Sequence, residues 1–468
     1  MADPTTDAGT AGSLPRPPLH TVLPPLVFGT ATFNTQYVAD PHSMPYRDIV
    51  ARALALGVNA FDTSPYYGPS EILLGTALDA LVRPPPPAVP IPRSSFFLVT
   101  KAGRIGITEF DYSPAWVRYS VLRSLRRLHT SYLDLVYLHD VEFVTPTEVV
   151  AAVRELRRLR DEEDGIVRYV GISGFPVDVL CQLAELVLAE TGEPVDAVMS
   201  YGHFTVQNRV LGLPWAEAAP GSDETLQRAD SAGTDTTAAP LARFKAAGVD
   251  VVLNASMLGM GLLTSEGIPT DDEPTPSNSG PDSRPSSPLS SWHPSPPELR
   301  VTCRRLADIA ATAGERLESV SMRWSMAEWA RIAAAAGLGV DYVTPGAGPG
   351  RLGVTVCGVK TIGELEDTVA EWRGVLATLG QQLAGGQVSV AEEKEEPYGA
   401  ARQEKILNLV RNELWPELRS WLDYAWDSPG PGFVNTKAEE DRGVVPDDGI
   451  IAEYELAKNS IRADRPAR

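Results

Sequence analysis

The chain has 468 residues, with 61 acidic against 41 basic side chains and a net charge of −20. That balance argues against a general nucleic-acid binder, which needs a basic face. A hydrophobic fraction of 43% can fill a sizeable core, yet no window reaches the run of about 18 apolar residues that a membrane helix needs.

Residues 1–20 lack a basic start and an apolar stretch, and are read as a disordered tail rather than a secretory signal. A strand is predicted at "PPLVFGT" (24–30), then a helix over 46–57. "VNAFDTS" (58–64) is the next strand, followed by a helix over 70–82 and a stiff proline linker at 84–92. "FFLVTKAG" (96–103) leads into a helix over 113–128, with Ser113 as N-cap and Pro114 at the first helical position. "LDLVYLHD" (133–140) leads into a helix over 145–165 with the same signal at Thr145 and Pro146. "VRYVGISGF" (167–175), a helix over 177–191, "PVDAVMSY" (194–201), a helix over 240–247 and "VDVVLNASM" (249–257) continue the alternation. Helical pattern over 298–336, the strand "VTVCGVK" (354–360) and a helix over 363–379 complete it. Residues 214–239, 268–297 and 381–400 are polar, acidic or rich in Pro and Ser, and are expected as disordered insertions or linker. Residues 401–426 are apolar and aromatic, and are expected to pack as helices against the rest.

The eight strands are nearly continuously apolar, as parallel strands buried on both faces are. Eight strand–helix units spell a (β/α)8 TIM barrel over 21–380, with surface insertions and a C-terminal helical extension over 381–468. A doubly wound open sheet is the alternative, but no G-x-G-x-x-G opens a βαβ unit. Cys181, Cys303 and Cys357 lie far apart, which suggests neither a disulfide framework nor a zinc site and fits a reducing, cytoplasmic compartment. The six histidines have no ligand spacing, so no metal centre is expected.

In such barrels the site lies at the C-terminal strand ends. Asp62 ends the second predicted strand and leads to Tyr66 and Tyr67. Lys101 ends the third, His139 and Asp140 the fourth, and Ser173 the fifth. A tyrosine works as an acid or base near neutrality if its pKa falls from about 10 by two or three units, a change of about 3–4 kcal/mol. An ammonium about 4 Å from the phenol supplies that much at an effective dielectric near 20. Lys101 is the candidate ammonium, Asp62 its partner, and His139 the group that orients a substrate oxygen. Singly, Asp62 reads equally well as a helix cap, and the tyrosines as packing aromatics.

Together these stretches resemble the aldo-keto reductase superfamily. "FDTSPYYGPSE" is similar to its D-T-A-x-x-Y-G-x-S-E signature, "LVTKAGR" and "DLVYLHD" to its lysine and histidine strands, and "GISGF" to its G-x-S-N-F segment. "NASMLGMGLLT" is similar to its seventh strand and "CGVKTIGELED" to its cofactor segment. The resemblance implies a catalytic tetrad of Asp62, Tyr67, Lys101 and His139. It implies cofactor contacts from Ser173, Gly174, Ser200, Ser256, Leu258, Gly259, Gly358, Lys360, Thr361 and Glu364. Phe33, Tyr66, Asp140 and Phe143 are substrate-pocket candidates from their loop positions. Departures are Gly174 in place of an amide-bearing Asn, Ser200 in place of Gln, and Ala255 in place of an aromatic. "GISGFP", "SYGHF" and "NASMLGMGLLT" resemble the branch containing L-galactose dehydrogenase and fungal D-arabinose dehydrogenase. That branch implies NAD-dependent oxidation of a sugar at C1 to its lactone. Glu364, Glu366 and Asp367 disfavour the extra phosphate of NADP, although Lys360 and Thr361 leave NADP open. The other readings are an NADPH-dependent aldehyde or ketone reductase and a non-catalytic subunit of the potassium-channel β type. The family resemblance also implies a monomer acting on a small-molecule sugar, with neither nucleic acid nor membrane as partner.

Overall fold

The computed structural model describes residues 16–162, 165–213, 239–269, 288–345, 348–383 and 398–463. Seven strands appear in sequence: β1 (Leu26–Gly29), β2 (Ala60–Asp62), β3 (Phe97–Ala102), β4 (Leu133–His139), β5 (Val167–Gly174), β6 (Ala197–Tyr201) and β7 (Val251–Ala255). An antiparallel hairpin of β8 (Val340–Thr344) and β9 (Gly348–Leu352) then precedes β10 (Val354–Gly358). β10 pairs with both β7 and β1, so β1 to β7 and β10 close into an eight-stranded parallel barrel. The chain is a (β/α)8 TIM barrel. All eight predicted strands are present, trimmed at their ends; the β8–β9 hairpin was not expected.

Helices follow the strands because local signals start them. Ser113 Oγ accepts from Trp116 N at the head of the helix Pro114–Arg127. Thr145 and Glu148 form a reciprocal capping box at Pro146–Asp161. The pattern over 298–336 resolves into two helices, Pro297–Thr312 and Leu317–Ala335. Gly314, at φ 75°, takes the left-handed turn that separates them.

Strand geometry divides the core in two. Every second residue of a strand points into the barrel. Val27, Ala60, Val99, Tyr137, Tyr169, Met199, Leu253 and Val356 fill the interior, while the alternate residues pack against the helices. Leu19, Leu23 and Val340 join the inner set and stop its lower end. The expected tail over 1–20 is therefore cut short: Leu19–Thr21 forms a turn with Leu19 buried, because two leucines four apart present one apolar face to that opening. Residues 84–92 have no regular structure and are largely exposed. The insertions expected over 214–239 and 268–297, and the acidic stretch over 381–400, fall mostly outside the described residues.

The C-terminal extension does more than form helices. Ala400–Leu409 continues through a π-helical stretch (Val410–Leu414) into Trp415–Leu418. After a 3-10 turn (Arg419–Trp421) the chain leaves the helical form expected to 426, crosses the strand C-terminal face and ends in the helix Ile450–Ala463. Arg209 pairs with Asp423 at 2.5 Å, and Asn435 bonds both the amide and the carbonyl of Phe110. The extension is anchored from below by Arg323, fully buried on Leu317–Ala335. Its guanidinium donates to Gln403 Oε1 and Tyr398 O, both at 2.7 Å, and pairs with Glu371 at 3.2 Å. Removing one member of a buried ionic network costs about 3–5 kcal/mol. Arg323→Ala is expected to lose that much in urea unfolding; an unchanged midpoint would show that the extension is not tied to the barrel through this residue.

Candidate active site

The last inward-facing residue of each barrel strand lies at the floor of one cavity, with all but Lys101 in its lining. By the alternation above these residues are Gly29, Asp62, Lys101, His139, Ser173, Tyr201, Ala255 and Gly358. Register agrees, since Gly29 pairs with Asp62 and Gly358, His139 with Ser173, and Tyr201 with Ala255. The cavity is about 770 Å3, within the range of small-molecule sites. A wider depression of about 1800 Å3 lies at the opposite face, lined from the strand N-termini. Its Arg83, Arg160 and Arg168 are each paired with carboxylates.

The structure brings Asp62, Tyr67, Lys101 and His139 together. Lys101 Nζ donates to Asp62 Oδ1 at 2.6 Å and to Thr63 O at 3.0 Å, wholly shut off from solvent. Nζ lies 4.7 Å from the centre of the Tyr67 ring, and the His139 ring stands perpendicular to Tyr67 at 5.5 Å. The electrostatics differ from the expected depression of Tyr67. Burial pushes the Tyr67 phenol well above its ordinary value, and the carboxylates of Asp62 and Asp140 add to the rise. The reason is that Lys101 does not act alone: its contact with Asp62 makes a nearly neutral pair, leaving desolvation to dominate. Burial also drives His139 down to about 3, with Lys101 and Arg104 opposing its protonation. Ser64 Oγ accepts from Tyr66 N at 3.2 Å and contacts His139 Nδ1 at 3.0 Å. With the hydroxyl as donor to Nδ1, the ring carries its proton on Nε2, the tautomer that can donate into the cavity.

Above this floor, Arg104 organises the rim. Its guanidinium pairs with Asp140, donates to Tyr66 Oη at 3.0 Å and stacks on the Tyr66 ring at 3.7 Å. Asp140 sits at φ 58° and ψ 62°, a left-handed conformation unfavourable for a residue with a side chain. Its Oδ1 is buried with no protein partner. Phe143 stacks on Phe110 at 4.7 Å and meets Phe433 of the extension at 4.8 Å. Tyr66, Asp140 and Phe143 all line the cavity. Phe33 does not: it is fully buried against Phe28, because an apolar ring pointing away from the mouth completes the outer core.

The residues expected to hold a cofactor divide in the same way. Ser173, Ser256, Leu258, Gly358, Lys360 and Glu364 line the cavity. Ser200 faces the helices and contacts His203 at 3.3 Å, since it has the opposite parity; Met199 and Tyr201 are the pocket residues of β6. Gly174 lies behind Ser173 against Glu142. Gly259 is held from behind by His293 Nε2, which donates to its carbonyl at 3.0 Å. Thr361 Oγ1 accepts from Glu364 N, and Glu364 accepts from Lys360 N, so both serve the start of the helix Ile362–Leu383. Sequence reasoning missed Arg104, Tyr201, Trp292, Trp426 and Phe433, all in the lining. Strand parity would have found Tyr201. Nothing local in the sequence signals Trp292 or Trp426, which arrive from remote segments.

The match to known proteins follows this geometry. The model of the aldo/keto reductase family matches residues 25–378, which span the whole barrel. This chain belongs to the aldo/keto reductase family. Among curated relatives it is 38% identical to D-arabinose 1-dehydrogenase of Saccharomyces cerevisiae over 307 residues, 65% of this chain and 76% of that protein. It is 29% identical to L-galactose dehydrogenase of Arabidopsis thaliana over 372 residues, 78% of this chain and 85% of that protein. A solved glycerol dehydrogenase from Gluconobacter oxydans is 18% identical at a TM-score of 0.47, covering 90% of this chain and 98% of the other. Aldo/keto reductases are oxidoreductases that act on small molecules with nicotinamide cofactors. The cavity fits such a group. It is long enough to run from the Asp62 floor to Glu364 and Asp367, and left-handed turns at Ser256 and Met260 shape its wall. Among the described residues no cluster of His, Cys, Asp and Glu would hold a metal, and no helix is long and apolar enough to cross a membrane.

Folded His139 binds its proton far more weakly than an exposed histidine does, so its contribution to stability is complete above about pH 6.5 and lost as pH falls towards about 3. Its ring resonances are expected to stay at neutral-imidazole positions from about pH 9 down to about pH 5 in NMR titration. A transition near pH 6.5 would contradict the assigned neutral ring.

Proposed function

We propose that this aldo/keto reductase oxidises an aldose of the D-arabinose or L-galactose type at C1 to its lactone, with NAD as hydride acceptor. The observation that carries the reading is Tyr67 held between the Lys101 ammonium and a neutral His139 at the base of a polar-rimmed cavity. The names of the two relatives support the substrate class.

The roles follow from the chemistry of each group. His139 Nε2–H donates to the C1 hydroxyl and orients it. Tyr67 accepts the hydroxyl proton; Lys101 steadies the phenolate that does so, and Asp62 fixes the position of Lys101. Bound nicotinamide supplies the hydride acceptor. Asp140 holds Arg104 at the cavity rim, beside Tyr66 and Phe143, where ring hydroxyls would lie. Ser173, Ser256, Leu258, Gly358 and Lys360 would hold the dinucleotide.

Charge at the far end of the cavity favours NAD. Glu266, Glu318, Glu364 and Asp367 face only Arg316 and Lys360 among the lining cations, and Arg316 is committed to Asp367 at 2.7 Å. A 2′-phosphate would meet an excess of like charge there. One observation favours the alternative, an NADPH-dependent carbonyl reductase: a phenol with raised pKa is the proton-donating form that reduction needs. Because oxidation needs the phenolate, its rate is expected to rise with pH through neutrality.

Tyr67→Phe is expected to lower kcat for D-arabinose or L-galactose oxidation at least about 100-fold with NAD affinity nearly unchanged. Equal rates in the two proteins would sink the assignment. Titration is expected to give tighter binding of NAD than of NADP, and Asp367→Arg to narrow the gap about tenfold. Tight NADPH binding with negligible NAD binding would favour the reductase instead.

A further inference from the structure

We propose that Glu142 is a positioning residue whose carboxyl group latches the C-terminal segment carrying Trp426 onto the end of β5, and so sets the substrate-side wall of the cavity. The geometry begins at the turn Val141–Phe143, directly after β4. Its flanking residues Asp140 and Phe143 line the cavity, whereas the Glu142 side chain turns behind them. Glu142 Oε1 accepts from Phe175 N at 3.2 Å and from Ser428 Oγ at 2.9 Å. One carboxyl oxygen thereby joins the barrel to the extension. Phe175 contributes its ring as well, stacked on Trp426 at 4.9 Å and 13°. Trp426, Asp427 and Ser428 all line the cavity.

Gly174 makes the arrangement possible. A Cβ at this position would lie 2.5 Å from Glu142 Oε2, closer than carbon and oxygen can approach. Any side chain at 174 would displace the carboxyl group, so the absence of an Asn there has a positive reason. Oε2 is shut off from solvent and has no hydrogen-bond partner, a poor setting for an anion.

The latch should therefore respond to pH. Burial and the neighbouring Asp140 carboxylate push Glu142 up to about 8. The groups that face it are Asp140 on its own turn, the Tyr112 hydroxyl before Pro114–Arg127 and the Tyr201 hydroxyl on β6. Arg104 is committed to Asp140. A released Glu142 would titrate near its ordinary value of about 4.5. The latched state holds the proton more tightly, so closure weakens as pH rises from about 4.5 to about 8 and changes little above that.

The inference rests on the sugar lying beneath Trp426, so the test has one arm that needs no sugar. In the first arm, hydrogen exchange of peptides spanning 426–433 is compared between wild type and Glu142→Gln, which mimics the protonated acid at every pH. The wild-type to variant exchange ratio is expected to rise at least about fivefold between about pH 6 and about pH 8 and then level off. In the second arm, the wild-type kcat/KM for sugar divided by that of Glu142→Gln is expected to fall over the same window. The fall should lie in KM, with NAD affinity moving less than about twofold; the ratio cancels the dependence arising at Tyr67. Ser428→Ala is expected to raise both peptide exchange and KM near neutrality. Ratios flat within about twofold in the exchange arm, or wild-type exchange in Ser428→Ala, would overturn the latch. Should the exchange arm succeed while wild type oxidises no sugar, the proposed substrate fails and the latch stands.

Discussion

Everything in this molecule depends on the alternation that barrel closure imposes on eight parallel strands. Once the barrel is shut, odd and even residues of each strand have different fates: one set fills the interior, the other faces the helices. The inward set ends on Gly29, Asp62, Lys101, His139, Ser173, Tyr201, Ala255 and Gly358. Side chains with no local relation to one another thus meet on one floor. Asp62 and Lys101 belong to adjacent strands and meet at 2.6 Å because both are inward.

That floor is largely buried, and burial decides its chemistry. An isolated ammonium would lower the pKa of a nearby phenol. A buried ammonium in contact with a carboxylate contributes little net field, and desolvation then controls Tyr67. The same desolvation keeps His139 neutral as a donor. A second ion pair stands at the rim, where Arg104 and Asp140 pair beside the Tyr66 ring. The site therefore combines a phenol and a neutral imidazole beside a compensated ion pair with a charged, aromatic collar.

The extension completes the collar. Its path is pinned to the barrel by Arg209–Asp423 on one side and Asn435–Phe110 on the other. Between these anchors lie Trp426 and Ser428, with Glu142 beneath them. The segment from Trp292 reaches the mouth from another direction, with Trp292 Nε1 donating to Gln36 O at 2.9 Å. Two long additions outside the strand–helix repeat thus wall the cavity that the repeat creates.

By itself the sequence determined the strands, the helix caps, the barrel and the four residues at its centre. Those features are written in local apolar runs, in Ser113 and Thr145 at helix starts, and in polar residues closing apolar strands. Parity was also legible, and a strict count would have exchanged Ser200 for Tyr201; Phe33 lies in the loop after β1, beyond the reach of such a count. The Tyr67 environment was not legible, because desolvation depends on every atom packed around the phenol. Nor were Trp292, Trp426 and the Glu142–Gly174–Ser428 contact, whose partners are far apart in the chain. Only the folded chain decides which distant segments cover the mouth, since that choice is made by packing and by paired polar groups rather than by any local pattern.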